Sequence, residues 1–125
     1  DYLVDAGHNP AGVAALCQTI DTLFADRRVT AVVSMMKDKD HGSCIPEIAA
    51  RAEHLIGCSV GLPRSLAPEE IAREASDHCR SDAAANMAQA LKLAEVDQGN
   101  LILVCGSVFG AGAALAVLDS GTQKE

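Results

Sequence analysis

Residues 29–35 read VTAVVSM, a run in which β-branched and apolar residues follow one another with almost no polar interruption. A strand with one wet face would alternate apolar and polar side chains. An unbroken run is what a strand covered on both faces requires. Residues 100–105 (NLILVC) repeat the pattern and form the clearest strand signal in the chain. Residues 54–60 (HLIGCSV) read as another such strand, and residues 2–4 as a short β-prone segment. Between them lie stretches with helical spacing. Residues 10–24 place Val13, Leu16, Cys17, Ile20, Leu23 and Phe24 on one face, and Ile45, Ile48, Ala49 and Ala52 do the same for a second helix. Strands alternating with helices predict an α/β fold: a mostly parallel, doubly wound, Rossmann-like sheet with helices on both faces and right-handed crossovers.

Local signals set the expected boundaries. Asn9-Pro10 supplies an N-cap and a first-turn proline for the first helix. A polar loop, KDKDHGS, precedes the second helix, and Pro68-Glu69-Glu70 opens a third with acids in its first turn. Residues 77–80 are a candidate short strand. Asp82 is the expected N-cap of a fourth helix carrying Met87, Ala88, Leu91 and Ala94. Helix is expected after Gly106 through Leu118, and the tail SGTQKE is expected to fray.

Composition narrows the function classes. The 125 residues suit one domain, residues 1–125, and the non-methionine start suggests a piece of a longer protein. A formal net charge of −7 and an aromatic content of 2% argue against nucleic acid, whose backbone would be repelled and whose bases would find few stacking partners. No apolar run reaches the length of a membrane span, so no membrane partner is expected. The five cysteines are odd in number and form no C-x-x-C pair, which points to reduced core thiols and a cytoplasmic protein. The four histidines form no metal-ligand spacing, so no metal site is expected in this chain.

In a parallel sheet the loops leaving the carboxyl ends of the strands share one edge, where ligands bind. Residues 5–10, 34–40, 61–65 and 106–109 fall on that edge. Gly7-His-Asn-Pro-Ala-Gly12 has the glycine spacing of a P-loop, but Val13 and Ala14 stand where lysine and a hydroxyl should be, so it cannot serve as one. Asp5 ends a strand; it can accept from ribose hydroxyls or bond turn amides. His8 precedes a helix and can donate to or accept from a ligand, or simply face solvent. Arg64, between Pro63 and Ser65, is a stiffened guanidinium suited to a carboxylate or phosphate. Ser107 can help bind an anion at a helix start or act as an ordinary N-cap. Lys39 and Asp40 read as a solvated charge run, and Cys105 as a core thiol.

Four segments in order, VDAGHNPAG, VVSMMKDKD, LPRSLAPEEI and ILVCGSVFGAGAAL, span nearly the whole chain. Together they resemble the C-terminal domain of folylpolyglutamate and dihydrofolate synthases, members of the Mur ligase superfamily. The turn departs from the family's usual order, since Ala6 and Gly7 are exchanged. The resemblance implies an ATP-dependent ligase that joins L-glutamate to a pterin or folate carboxylate through an acyl phosphate. ATP and Mg2+ would be bound mostly by an N-terminal P-loop ATPase domain of the same polypeptide. By the same likeness Asp5 would contact the ATP ribose, His8 would act beside the incoming glutamate, and Ser107 and Arg64 would help hold the glutamate carboxylates. A cell-wall Mur amino-acid ligase and a non-catalytic flavodoxin-like binding module are the alternatives.

Overall fold

The computed structural model describes the backbone of residues 1–123 and side chains through residue 119. Five strands and five helices alternate: β1 (Tyr2–Val4), α1 (Pro10–Leu23), β2 (Val29–Val33), α2 (His41–Ala49), β3 (His54–Cys58), α3 (Pro68–Ala75), β4 (Arg80–Ala84), α4 (Met87–Glu95), β5 (Leu101–Cys105) and α5 (Val108–Gln123). The strands form one sheet in the order β1-β5-β2-β3-β4, and every pairing is parallel. β2 and β5 lie side by side in the middle and are buried along their whole length. Their continuous apolar runs have this physical cause.

Side-chain alternation divides the core into two layers. Ala31, Val33, Leu55, Leu101 and Leu103 face α1, α2 and α3, where Val13, Leu16, Ile45, Ile48 and Ile71 meet them. Val32, Ile56, Ile102 and Val104 face the other way, toward Met87, Ala90, Leu91 and Ala114 of α4 and α5. The first three helices therefore cover one face and the last two the other. The path β1 to β4 advances across the sheet, and α4 then carries the chain back to place β5 between β1 and β2. Right-handed crossovers require the helix to change face when that direction reverses. Glycine matters where layers approach closely: a Cβ on Gly57 would lie 2.6 Å from the Pro68 carbonyl oxygen and 2.8 Å from Ile71 Cβ.

Several boundaries differ from expectation. α2 begins at His41, so the end of the KDKDHGS segment is its first, polar turn. β4 runs from Arg80 to Ala84 and pairs with β3 throughout, from His54↔Arg80 to Cys58↔Ala84. Asp82 is thus a strand residue and not a helix cap. The cap of α4 is Asn86, whose side chain accepts from the Gln89 amide at 2.9 Å, while Gln89 accepts from the Ala85 amide. β4 escapes the apolar pattern because it is a mostly exposed edge strand, blunted with charge as edge strands commonly are. α5 continues to Gln123, into the stretch expected to fray; residues 124–125 lie outside the described residues.

The amino ends of β2, β3 and β4 carry a polar network that the sequence pattern does not announce. His54 is 5% exposed. Its Nδ1 lies 2.6 Å from Asp97 Oδ2 and its Nε2 2.6 Å from Asp82 Oδ2. Thr30 donates to Asp97 Oδ2 at 2.8 Å, Arg80 donates to Asp97 Oδ1 at 2.7 Å, and Asn100 bridges Thr30 to Glu53. These bonds tie the edge strand and the α4–β5 turn to the buried strands. Each polar group is satisfied, as burial demands.

Burial disfavours the charged Asp97 carboxylate, but hydrogen bonds from His54, Thr30 and Arg80 outweigh it and hold the group below its ordinary value of 3.8. A depressed folded-state value contributes stability that is present above pH ~4 and is lost as pH falls through the folded value. Asp97→Asn should therefore lower stability at pH 7 by about 2 kcal/mol and flatten the acid limb. Urea melts of both proteins from pH 7 to pH 2.5 check this; parallel stability–pH curves would contradict it.

Candidate functional site

With all strands parallel, the loops after β1, β2, β3 and β5 leave the same edge of the sheet. β5 lies between β1 and β2, yet its chain turns into α5 on one face while theirs turn into α1 and α2 on the other. A crevice opens at that divergence, the position where doubly wound sheets bind ligands. A cavity of about 300 Å³ sits there, lined by His8, Met36, Lys39, Ser107, Val108 and Phe109. Each of the three diverging loops contributes to it. A larger recess of about 470 Å³ lies between α1 and α2, lined by Val13, Cys17, Cys44 and Arg51 among others. Its one arginine is already bonded to Asp21 and Glu47, and none of the site residues expected from the sequence lines it.

The turn after β1 is built from its own polar groups. The Asp5 amide donates to the Val104 carbonyl at 2.8 Å and so extends the β1–β5 pairing by one residue. Asp5 Oδ1 accepts from the Gly7 amide at 2.6 Å, which folds the turn back on itself. Of the two readings of Asp5, the bond to a turn amide is present: one carboxylate oxygen holds the turn, and Oδ2 has no hydrogen-bond partner among the described residues. His8 Nδ1 lies 3.4 Å from the Ala6 carbonyl oxygen. Its half-buried ring lines the cavity. Asn9 then caps α1, accepting from the Gly12 amide at 2.8 Å, with Pro10 in the first turn.

The exchange of Ala6 and Gly7 has a clear structural reading. Neither residue adopts positive φ, so the turn needs no left-handed residue. Position 7 needs glycine for space. A Cβ there would lie 2.7 Å from Asp5 Oδ1 and 3.2 Å from the Gly12 carbonyl carbon.

The turn after β5 is held more tightly. Gly106 has φ +105°, and a side chain at this position would collide with the Ser34 carbonyl oxygen. Gly110 packs against the Ser34 and Ser107 hydroxyls in the same way. Ser107 is buried; its hydroxyl accepts from the Gly110 amide at 2.8 Å and shares a hydrogen bond with Ser34 at 3.0 Å. Of the two readings open for Ser107, the hydroxyl is engaged in the N-cap of α5. Capping and the Ser34 contact occupy the side chain at the cavity wall.

Arg64 stands on the loop after β3, largely exposed and paired with Asp38 at 3.6 Å. That loop is stitched to the one after β2: Lys37 donates to the Arg64 carbonyl, Leu66 donates to the Met35 carbonyl, and Met36 bridges Ser65. The fold thus brings His8 and Ser107 to one cavity, puts Asp5 on the turn that carries His8, and leaves Arg64 outside the lining. Lys39 is half-buried in the cavity, contrary to the solvated charge run expected for it. Cys105 is a buried core thiol. Burial, with the nearby Asp5 charge, pushes its titration well above the ordinary range, which removes it as a nucleophile. Among the described residues no group of three or more His, Cys, Asp or Glu side chains could hold a metal ion. No helix among them is long and apolar enough to cross a membrane.

The model of the family described as "Mur ligase, glutamate ligase domain" matches residues 1–108. The chain belongs to that family. It is 31% identical to the dihydrofolate synthase/folylpolyglutamate synthase of Mycobacterium tuberculosis, over 96% of this chain and 28% of that protein. It is 26% identical to the Bacillus subtilis protein of the same name, over 85% of the chain and 25% of that protein. Among solved structures, M. tuberculosis folylpolyglutamate synthase complexed with ADP superposes with a TM-score of 0.82 at 31% identity, covering 93% of this chain and 29% of that one. E. coli FolC in complex with DHPP and ADP superposes with a TM-score of 0.88 at 24% identity, covering 97% and 29%, and supports the fold. The chain therefore spans less than a third of the length of the relatives it matches.

Gly7→Ala should break the Asp5–Gly7 bond and cost about 1–2 kcal/mol of stability, with faster exchange of the residue-7 amide. Thermal melts with amide hydrogen exchange test this. An unchanged melt with the amide still protected would show that the turn has room for a side chain.

Proposed function

We propose that this chain is the glutamate-side domain of an ATP-dependent ligase that joins L-glutamate to a pterin or folate carboxylate. The observation that carries the reading is the His8-lined cavity at the sheet's switch point, in a chain of the glutamate ligase domain family. In the proposed reaction the γ-phosphoryl group of ATP moves to the substrate carboxylate, giving ADP and an acyl phosphate. The glutamate amine then forms a bond to the acyl carbon, inorganic phosphate leaves, and the nitrogen loses a proton.

The task this leaves to the present domain is positioning. Asp5 Oδ2 is free to accept from a ribose hydroxyl, since Oδ1 is held by Gly7. His8 lines the space in which the amine would sit. Ser107 contributes by fixing the β5–α5 turn and not through a free hydroxyl. Arg64 could reach a glutamate carboxylate only by leaving Asp38, so its assigned role has the least support. Among the described residues no acidic or histidine cluster fits a magnesium site, and we assign the metal and most ATP contacts to an N-terminal P-loop domain of the parent polypeptide. The relatives' length supports this assignment, since they are more than three times as long as the matched segment. Similarity to the folate enzymes favours a pterin substrate over a cell-wall precursor, and the family match leaves a stand-alone flavodoxin-like module without support.

In the parent enzyme His8→Ala should raise the glutamate KM by about tenfold or more and leave the ATP KM within about twofold. Steady-state kinetics with each substrate varied in turn, run beside the isolated domain, test the reading. An unchanged response to glutamate, or pterin-dependent ADP release by the isolated 125-residue chain, would overturn it.

A further inference from the structure

One wall of the switch-point cavity rests on a helix start that is weak on local grounds. Met36 and Lys39 of the loop after β2 line that wall, and the loop runs directly into α2. At its front the loop is stitched to the loop after β3 through Met35, Met36 and Lys37. At its rear it depends on the first turn of α2, where the His41 amide donates to the Lys39 carbonyl at 2.8 Å. That turn has little of its own to hold it. The cap residue Asp40 makes no side-chain capping bond, and Gly42 and Ser43 both disfavour helix. Pro46, inside the helix, has no amide to offer the Gly42 carbonyl. The Asp40 carbonyl accepts from the Ser43 and Cys44 amides only at 3.2 and 3.1 Å.

His41 supplies the missing anchor. Its Nδ1 lies 2.9 Å from Glu74 Oε2 and 3.0 Å from Glu74 Oε1, on α3. An ionised carboxylate only accepts, so Nδ1 carries a proton and donates it to this bond. The two side chains are 27% and 11% exposed, so the contact is sheltered from water, unlike surface pairs that contribute little. Arg73, one residue before Glu74, is bonded to Glu70. α3 is itself seated on the sheet, because Ile71 and Ala75 are buried in the core layer that contains Leu55 of β3. The His41–Glu74 bond therefore ties the start of α2 to a fixed neighbour.

Resting on the proposed ligase reading, we propose that His41 and Glu74 are positioning residues for the ligation. Their bond between α2 and α3 keeps the Met36–Lys39 wall of the cavity where the incoming amino acid requires it. Neither side chain lines the cavity, so both act through the loop. A small displacement of such a wall weakens binding while leaving the reacting groups unaltered.

The test is steady-state kinetics of the parent enzyme with His41→Ala, Glu74→Ala, the double variant and His41→Gln. Glu69→Gln, exposed on the same helix as Glu74, is the control. The expected result is a glutamate KM raised about fivefold or more in each alanine variant, with no further rise in the double variant. His41→Gln, whose amide can still donate to Glu74, should recover toward wild type. The ATP KM should stay within about twofold throughout, and Glu69→Gln should change nothing. Amide exchange in the 125-residue chain should show the Ser43 and Cys44 amides opening faster in the alanine variants, while β2 and β5 keep their protection. An unchanged glutamate KM, additive effects of the two substitutions, or protection lost uniformly across the chain would overturn the proposal and leave the ligase reading standing. If the unmutated parent makes no glutamyl product, the ligase reading falls and takes this proposal with it.

Discussion

The close approach of the β5–α5 turn to the end of β2 is the constraint on which the site depends. Gly106 adopts positive φ directly against the Ser34 carbonyl, and the Ser34 and Ser107 hydroxyls bond to each other beneath Gly110. No side chain larger than hydrogen fits at Gly106 or Gly110 without moving backbone or a buried polar pair. That contact sets where α5 starts and how far Val108 and Phe109 stand from Met36 and Lys39. It also sets the width of the crevice, because β1 and β2 flank β5 in fixed parallel register.

Two edges of one sheet have divided the polar chemistry between them. At the amino edge His54, Asp82, Asp97, Arg80 and Thr30 satisfy one another and bind the exposed strand to the buried ones. At the carboxyl edge Asp5 Oδ2 and Lys39 lack partners among the described residues. A polar group left unsatisfied in a half-buried place points toward a ligand, whereas a closed network points toward stability. The split matches the general placement of ligands in open parallel sheets.

Much of the fold was legible because the central strands are covered on both faces and their sequences are correspondingly unbroken. Asn9-Pro10 and Pro68 placed two helix starts for local reasons, and the exclusion of Cys105 followed from its place in an apolar strand. β4 was hidden because an edge strand carrying Arg80 and Asp82 has no burial pattern to display; the usable signal was Asn86 followed by Gln89. Arg64 has a counter-ion in Asp38, whereas Lys39 lines the cavity without one among the described residues. Loop charges cannot be ranked until it is known which has a counter-ion, and that depends on contacts between loops distant in sequence.

The central claim is that the switch-point cavity receives the amino acid while Asp5 faces the nucleotide. A structure of the parent enzyme with a non-hydrolysable ATP analogue and L-glutamate tests it most directly. The account predicts glutamate between the His8 and Ser107 turns and a ribose hydroxyl within hydrogen-bond reach of Asp5. Glutamate held elsewhere with this cavity empty, or a ribose remote from Asp5, would contradict it.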